Sequence, residues 1–195
     1  MKFKKQKATS IFRVYLELSK LNILSLVLVA TFLGYYIGNN GVGELSRLIY
    51  TLLGTSLTAA GSGALNHYVE RNPDKYMERT KNRPLPAGLI SPLHVIIYGV
   101  FMTIGGSLLL VFKINLLTGF LSLLTAFLYV IVYTPLKRIT WLNTSVGSIP
   151  GAMPILGGWT AATGEIGNMA WILFGIMYLW QHPHFYAIAW MCKDD

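Results

Sequence analysis

The chain has 195 residues, 53% of them apolar and only 12% charged, with a mean hydropathy of +0.50. Soluble domains carry about 25% charged residues, so a water-soluble globular fold is excluded. A net charge of +8 would point to nucleic acid in a soluble protein; here the basic residues cluster between long uncharged stretches, which excludes that partner class. The single cysteine, Cys192, rules out an intrachain disulfide and a cysteine-built zinc site.

Six stretches contain no Asp, Glu, Lys or Arg: 21–43, 48–69, 91–112, 114–136, 139–164 and 166–192. Each reaches the length of about 20 mostly apolar residues that a membrane-crossing helix needs. The expected fold is therefore all-α, a polytopic membrane bundle with six transmembrane helices. A basic cytoplasmic arm, residues 1–20, would precede a single transmembrane domain, residues 21–195. The first apolar run follows Lys2, Lys4, Lys5, Lys7, Arg13 and Lys20. It is too long for a signal peptide and no A-x-A cleavage site follows, so it reads as a retained anchor.

Alternate connections carry the positive charge. The N-terminal arm, the 70–90 connection (Arg71, Lys75, Arg79, Lys81, Arg83), the pair Lys137 and Arg138, and Lys193 hold all but Arg47 and Lys113 of the sixteen basic residues. By the positive-inside rule these ends share the cytoplasmic face. The absence of an Arg- and Ser-rich transit segment favours a bacterial cytoplasmic membrane. The fifth stretch contains Gly147, Pro150, Gly151, Pro154, Gly157 and Gly158. Each proline removes a backbone hydrogen bond, which suggests a broken helix lining a cavity; the alternative is a kinked, tightly packed helix of small residues.

The chemistry concentrates between residues 65 and 86. Asn66, Glu70 and Asp74 are spaced i, i+4, i+8, which on a helix lines their oxygens along one face with a rise of about 6 Å per step. Pro73 would end or kink that helix and leave Asp74 on a turn. Hard oxygen donors beside Arg and Lys suit a Mg²⁺-bound diphosphate: carboxylates hold the metal and cations neutralise phosphate oxygens. A loop that only fixes topology would explain the arginines but not the acids, because acidic residues contribute little to orientation. Asn66, Glu70 and Asp74 are thus candidate metal and catalytic residues. Arg79, Arg83, Lys137 and Arg138 are candidate diphosphate ligands, and Tyr133 could bond the diphosphate or shield a cation.

Asn66-x-x-x-Glu70-x-x-x-Asp74, followed by Met77-x-Arg79-Thr80-x-x-Arg83-Pro84-Leu85-Pro86, resembles the first acidic motif of the protohaem IX farnesyltransferases, or haem O synthases, which are UbiA-type intramembrane prenyltransferases. The likeness continues through Tyr133-Thr134-Pro135-Leu136-Lys137-Arg138, Asn143, the Gly147 to Trp159 stretch and Trp180-Gln181-x-Pro183-His184-Phe185. It departs at Lys20-Leu21-Asn22, where the family often has Lys-Pro-Arg. The resemblance implies a nine-helix bundle that binds farnesyl diphosphate through Mg²⁺ and two acidic motifs on the cytoplasmic side. The acceptor it implies is the vinyl group of haem b, with water completing the addition to give haem O for a respiratory oxidase. It makes His184 a candidate haem residue. It also places Asp194 and Asp195, as metal residues, where the second acidic motif begins, in a chain truncated or shortened by the last three helices. Haem-pathway or oxidase-assembly proteins are further expected partners.

Two rivals share some of these features. A prenyltransferase acting on a quinone precursor would share the acidic motifs but not the Arg79-to-Pro86 and Trp180-to-His184 pairing. A transporter would place charge near the bilayer centre, whereas this sequence keeps its charge at the edge.

Overall fold

The computed structural model describes residues 10–137 and 139–191, and every long element in them is a helix. The short α1 (Ile11–Leu18) buries Val14 and Leu18 against Ala64, Leu85 and Val95, and leaves Ile11 and Phe12 exposed. Five longer helical segments follow: α2 (Leu21–Asn39), α3 (Leu45–Glu70), α4 (Pro92–Lys113), α5 (Leu116–Phe127) continued by a π-helical stretch (Leu128–Tyr133) into α6 (Thr134–Leu136), and α7 (Asn143–Thr163). The last element is α8 (Asn168–Met191).

Each of the six charge-free stretches thus contains one long helical segment. Among the described residues, four segments are long and apolar enough to cross a membrane: Leu21–Asn39, Leu45–Glu70, Pro92–Lys113 and Leu116–Leu136. Four of the six expected spans meet this criterion. α7 and α8 have the length, but α7 is built on Gly, Pro, Ser and Thr, and α8 carries Gln181, His182 and His184, which lowers their hydropathy. The chain is an integral membrane protein.

Small residues set the helix pairs. α3 packs chiefly on α4 and α2 on α7, because in a bilayer close backbone approach replaces the hydrophobic drive between helices. A Cβ placed on Gly61 of α3 would lie 2.6 Å from the Gly99 carbonyl oxygen of α4, and one on Gly158 of α7 would lie 2.0 Å from the Thr31 carbonyl oxygen of α2. α5 joins α7 through Asn115 Nδ2, which donates to the Thr160 carbonyl at 2.9 Å, and through the Thr118 and Thr160 hydroxyls at 3.0 Å.

The proline-rich segment is a correction. α7 runs unbroken through Pro150 and Pro154, so the broken backbone and the cavity expected there are replaced by the packed-helix alternative. Pro150, Ala152, Met153, Ile155, Leu156 and Gly158 are buried in it. Each proline removes one donor, and the close fit to α2 keeps the remaining backbone helical.

These pairings bring the start of α2, the end of α3 and the end of α6 to one end of the bundle, since Lys20, Asn66, Glu70, Thr134 and Lys137 bond to one another there. Adjacent glycines give a test of the α2–α7 contact. Gly157 has open space around its Cβ direction. Gly158→Ala should destabilise the fold by about 1–3 kcal/mol through overpacking, while Gly157→Ala should be neutral or gain up to ~1 kcal/mol of helix propensity. Thermal unfolding in detergent, followed by tryptophan fluorescence, distinguishes the two; equal shifts would contradict the packing.

Candidate active site

α3 ends at Glu70, and Pro73 opens a 3₁₀ turn, Pro73–Lys75, that carries Asp74. The three oxygen-bearing residues therefore come from a helix face and the turn after it, as the proline predicts. Asn66 is fully buried: its Oδ1 accepts from Lys20 Nζ, and its Nδ2 donates to Thr134 Oγ1 at 2.9 Å. Glu70 Oε1 accepts from Lys137 Nζ at 2.8 Å, and its Oε2 lies 3.7 Å from Arg83 Nη1. Asp74 is buried, and its Oδ2 accepts from the same Arg83 Nη1 at 2.8 Å. The Thr80 hydroxyl donates to the Asp74 carbonyl at 3.0 Å and pins the turn.

One arginine thus spans both carboxylates and a lysine holds the outer one. The second wall is aromatic. Pro135 has no N–H for the carbonyl of Ile131, and the helix widens to π pitch over Leu128–Tyr133. The Thr134 hydroxyl closes that stretch on the Tyr129 carbonyl at 2.7 Å. Tyr129 and Tyr133 stack with centroids 5.9 Å apart, and Lys137 Nζ lies 4.7 Å from the Tyr133 ring centroid. Gly147 of α7 makes room for that ring, since a Cβ there would sit 2.4 Å from it.

Of the sequence candidates, the structure brings together Asn66, Glu70, Asp74, Arg83, Tyr133 and Lys137. Arg79 stands on the exposed side of the loop. Arg138, Asp194 and Asp195 lie outside the described residues. His184 is exposed near the end of α8, stacked on Trp180 at 4.9 Å; α8 packs chiefly on α7, so the imidazole does not join the carboxylates. Its neighbour His182 accepts from the Ser145 hydroxyl at 3.1 Å through Nε2 and donates from Nδ1 to the Tyr178 carbonyl at 2.9 Å, a satisfied packing histidine.

Sequence reasoning missed Lys20, Thr134 and Tyr129. Lys20 counted only as topological charge, although its place just ahead of an apolar run, where the resembled family has its Lys-Pro-Arg, was a signal. Its backbone is left-handed, with φ of +50°. That conformation is costly for a residue with a Cβ and persists only where surrounding contacts enforce it. Here the enforcing contacts are Asn66 Oδ1 and, at 3.5 Å, the Tyr129 hydroxyl.

Burial lowers the Lys20 ammonium to about 8; Glu70 opposes that shift, Arg83 and Lys137 add to it, and Asp74 opposes it. The unfolded chain, with the ordinary lysine value of 10.5, binds more protons between pH 8 and 10.5, so the Lys20 contribution makes stability rise with pH across that window and stay flat below it. The rise should not exceed about 3 kcal/mol, and Lys20→Met should remove it. Thermal midpoints of both proteins from pH 7 to 10.5 provide the check.

Among the described residues, no group of three or more His, Cys, Asp and Glu side chains is placed to hold a metal. The donor set is two carboxylates and an amide. That suits Mg²⁺, which is commonly bound by one or two carboxylates together with substrate phosphates.

Comparison with known proteins adds three findings. A family model described as the UbiA prenyltransferase family matches residues 27–195. The chain is 43% identical over 192 residues to a protoheme IX farnesyltransferase of Solibacter usitatus, covering 94% of this chain and 66% of that relative. It is 48% identical over 181 residues to a protoheme IX farnesyltransferase of Salinibacter ruber, covering 93% and 64%. The chain thus spans a little under two thirds of the length of these curated relatives. No solved structure matches it.

Proposed function

The chain belongs to the UbiA prenyltransferase family, and from that premise we propose that it takes part in transfer of a farnesyl group from farnesyl diphosphate to the vinyl group of haem b, giving haem O. The observation that carries this reading is the half-buried network in which Arg83 bridges Glu70 and Asp74 while Lys137 holds Glu70 and Lys20 holds Asn66. The names of the two relatives support the choice of acceptor.

Glu70 and Asp74, with Asn66 behind them, would hold Mg²⁺, which when bound neutralises charge on the leaving diphosphate. Arg83, Lys137 and Lys20 are within reach to take the diphosphate oxygens; Arg79 follows in the loop after Asp74, and Arg138 follows Lys137 in the sequence. The reacting C–O bond breaks heterolytically, its electron pair leaves with the diphosphate, and fixed cations stabilise that developing charge. The allylic cation is shielded by the stacked Tyr129 and Tyr133 faces, and the vinyl π electrons form the new carbon–carbon bond. Water adds to the resulting benzylic-type cation and loses a proton. His184 presents an exposed imidazole for the haem iron, a role suited to its neutral form.

In this reading all six long segments span the bilayer as one domain, 21–195, behind the basic arm 1–20. The full nine-helix bundle includes Asp194 and Asp195 in a second acidic motif. The membrane is a bacterial cytoplasmic membrane with the carboxylates on the cytoplasmic side.

The test is incubation with haem b, farnesyl diphosphate and Mg²⁺ in a protein carrying this chain, followed by mass spectrometry of extracted haem. A hydroxyethylfarnesyl addition is expected, and its absence would contradict the reading. Glu70→Ala should lower turnover by at least a hundredfold, in the range seen for loss of one charge-stabilising group, while the protein stays inserted; wild-type turnover would remove the metal assignment. His184→Ala should weaken haem binding at least tenfold with farnesyl diphosphate binding unchanged, and equal losses would contradict a haem role.

A further inference from the structure

A second feature shares two residues with the carboxylate network and is not used by it. Between α1, the bend at Lys20 and the last turns of α3 lies an open cleft of about 610 Å³. Arg13, Glu17, Lys20, His67 and Arg83 line it together with Leu16, Leu21 and Ile23. Lys20 and Arg83 form its common wall with Asn66, Glu70 and Asp74. His67 is 3% exposed, and neither ring nitrogen makes a hydrogen bond of good geometry, the backbone of Glu17 being its near partner. Buried polar atoms are almost always satisfied, so an imidazole with a nitrogen left open at the edge of a cleft marks a place where a ligand atom completes the pairing.

The lining defines the ligand. Arg13, Lys20 and Arg83 face Glu17 across the cleft, and because Arg83 is already paired with Asp74 and Glu70 the remaining positive balance is modest, suited to carboxylates rather than to a second diphosphate. The leucines and the isoleucine offer an apolar wall beside the charge, as a flat amphiphile requires. Arg13 is exposed on the rim, where a guanidinium pairs a carboxylate in bidentate fashion.

We infer that this cleft seats the propionate carboxylates of the porphyrin acceptor, with an N–H of His67 donating to one oxygen and Arg13 forming the ion pair at the mouth. The inference rests on the haem reading above and gives it a location. Because the vinyl groups of haem b lie on the edge opposite its propionates, anchoring the acids fixes which edge of the ring is presented to the allylic donor. His67 and Arg13 are positioning residues in this account.

The experiment compares haem b with its dimethyl ester, in which both propionates are neutral, by Soret absorbance titration of the detergent-solubilised protein. Wild type should bind haem b at least tenfold more tightly than the diester. Arg13→Ala, a change at an exposed site, and His67→Leu should each erase most of that preference and leave diester affinity unchanged. Equal wild-type affinity for the two porphyrins, or variants that weaken both equally, would overturn the cleft assignment while leaving the acceptor reading intact. Failure of wild type to bind either porphyrin would overturn both.

Discussion

The structure turns on the pairing of opposite charges partly withdrawn from water at one end of an apolar bundle. Asp74 is buried and Glu70 half-buried, and a carboxylate withdrawn from water is tolerable only when paired and hydrogen-bonded. Arg83 and Lys137 supply that pairing, at 2.8 Å to Asp74 and to Glu70 respectively. The same pairing defines what the site can do. A ligand that brings both a cation for the carboxylates and an anion for the basic groups replaces every contact it breaks, whereas either charge alone leaves a buried partner uncompensated. A metal diphosphate is such a ligand.

Helix packing places these charges. The glycine contacts of α3 on α4 fix the end of α3 that carries Asn66 and Glu70, and the fit of α7 on α2 fixes the start of α2, where Lys20 sits in a left-handed turn. The π stretch before Pro135 rotates Tyr129 and Tyr133 onto a common face and lets Thr134 reach Asn66. Left-handed backbone occurs at both ends of α2, at Lys20 and at Asn40, but only at Lys20 do the contacts that hold it also build the site.

Much of this was legible in the sequence, for identifiable reasons. Charge-free stretches and the alternation of basic connections located the helices and the shared face of their ends, because those patterns follow from the cost of burying charge. The i, i+4, i+8 spacing and Pro73 located Asn66, Glu70 and a turn-borne Asp74. What was not legible depends on partners distant in sequence. Lys20 meets Asn66 only through the α1–α2 bend, and nothing local separates it from the other lysines of the basic arm. Pro150 and Pro154 read as breaks because their helix is held by α2, more than a hundred residues earlier in the chain. His184 drew attention through motif context, yet its place on the exposed side of α8 is set by packing that the motif does not encode.

The central claim is that acids and bases of the network are released together. The most direct measurement is calorimetric titration of the protein with inorganic diphosphate, in excess Mg²⁺ and in chelator. Reciprocal coupling requires each ligand to raise the affinity of the other by the same factor, and the account predicts at least a tenfold gain for the magnesium complex that is lost in Glu70→Gln. Equal diphosphate affinity with and without the metal would contradict it.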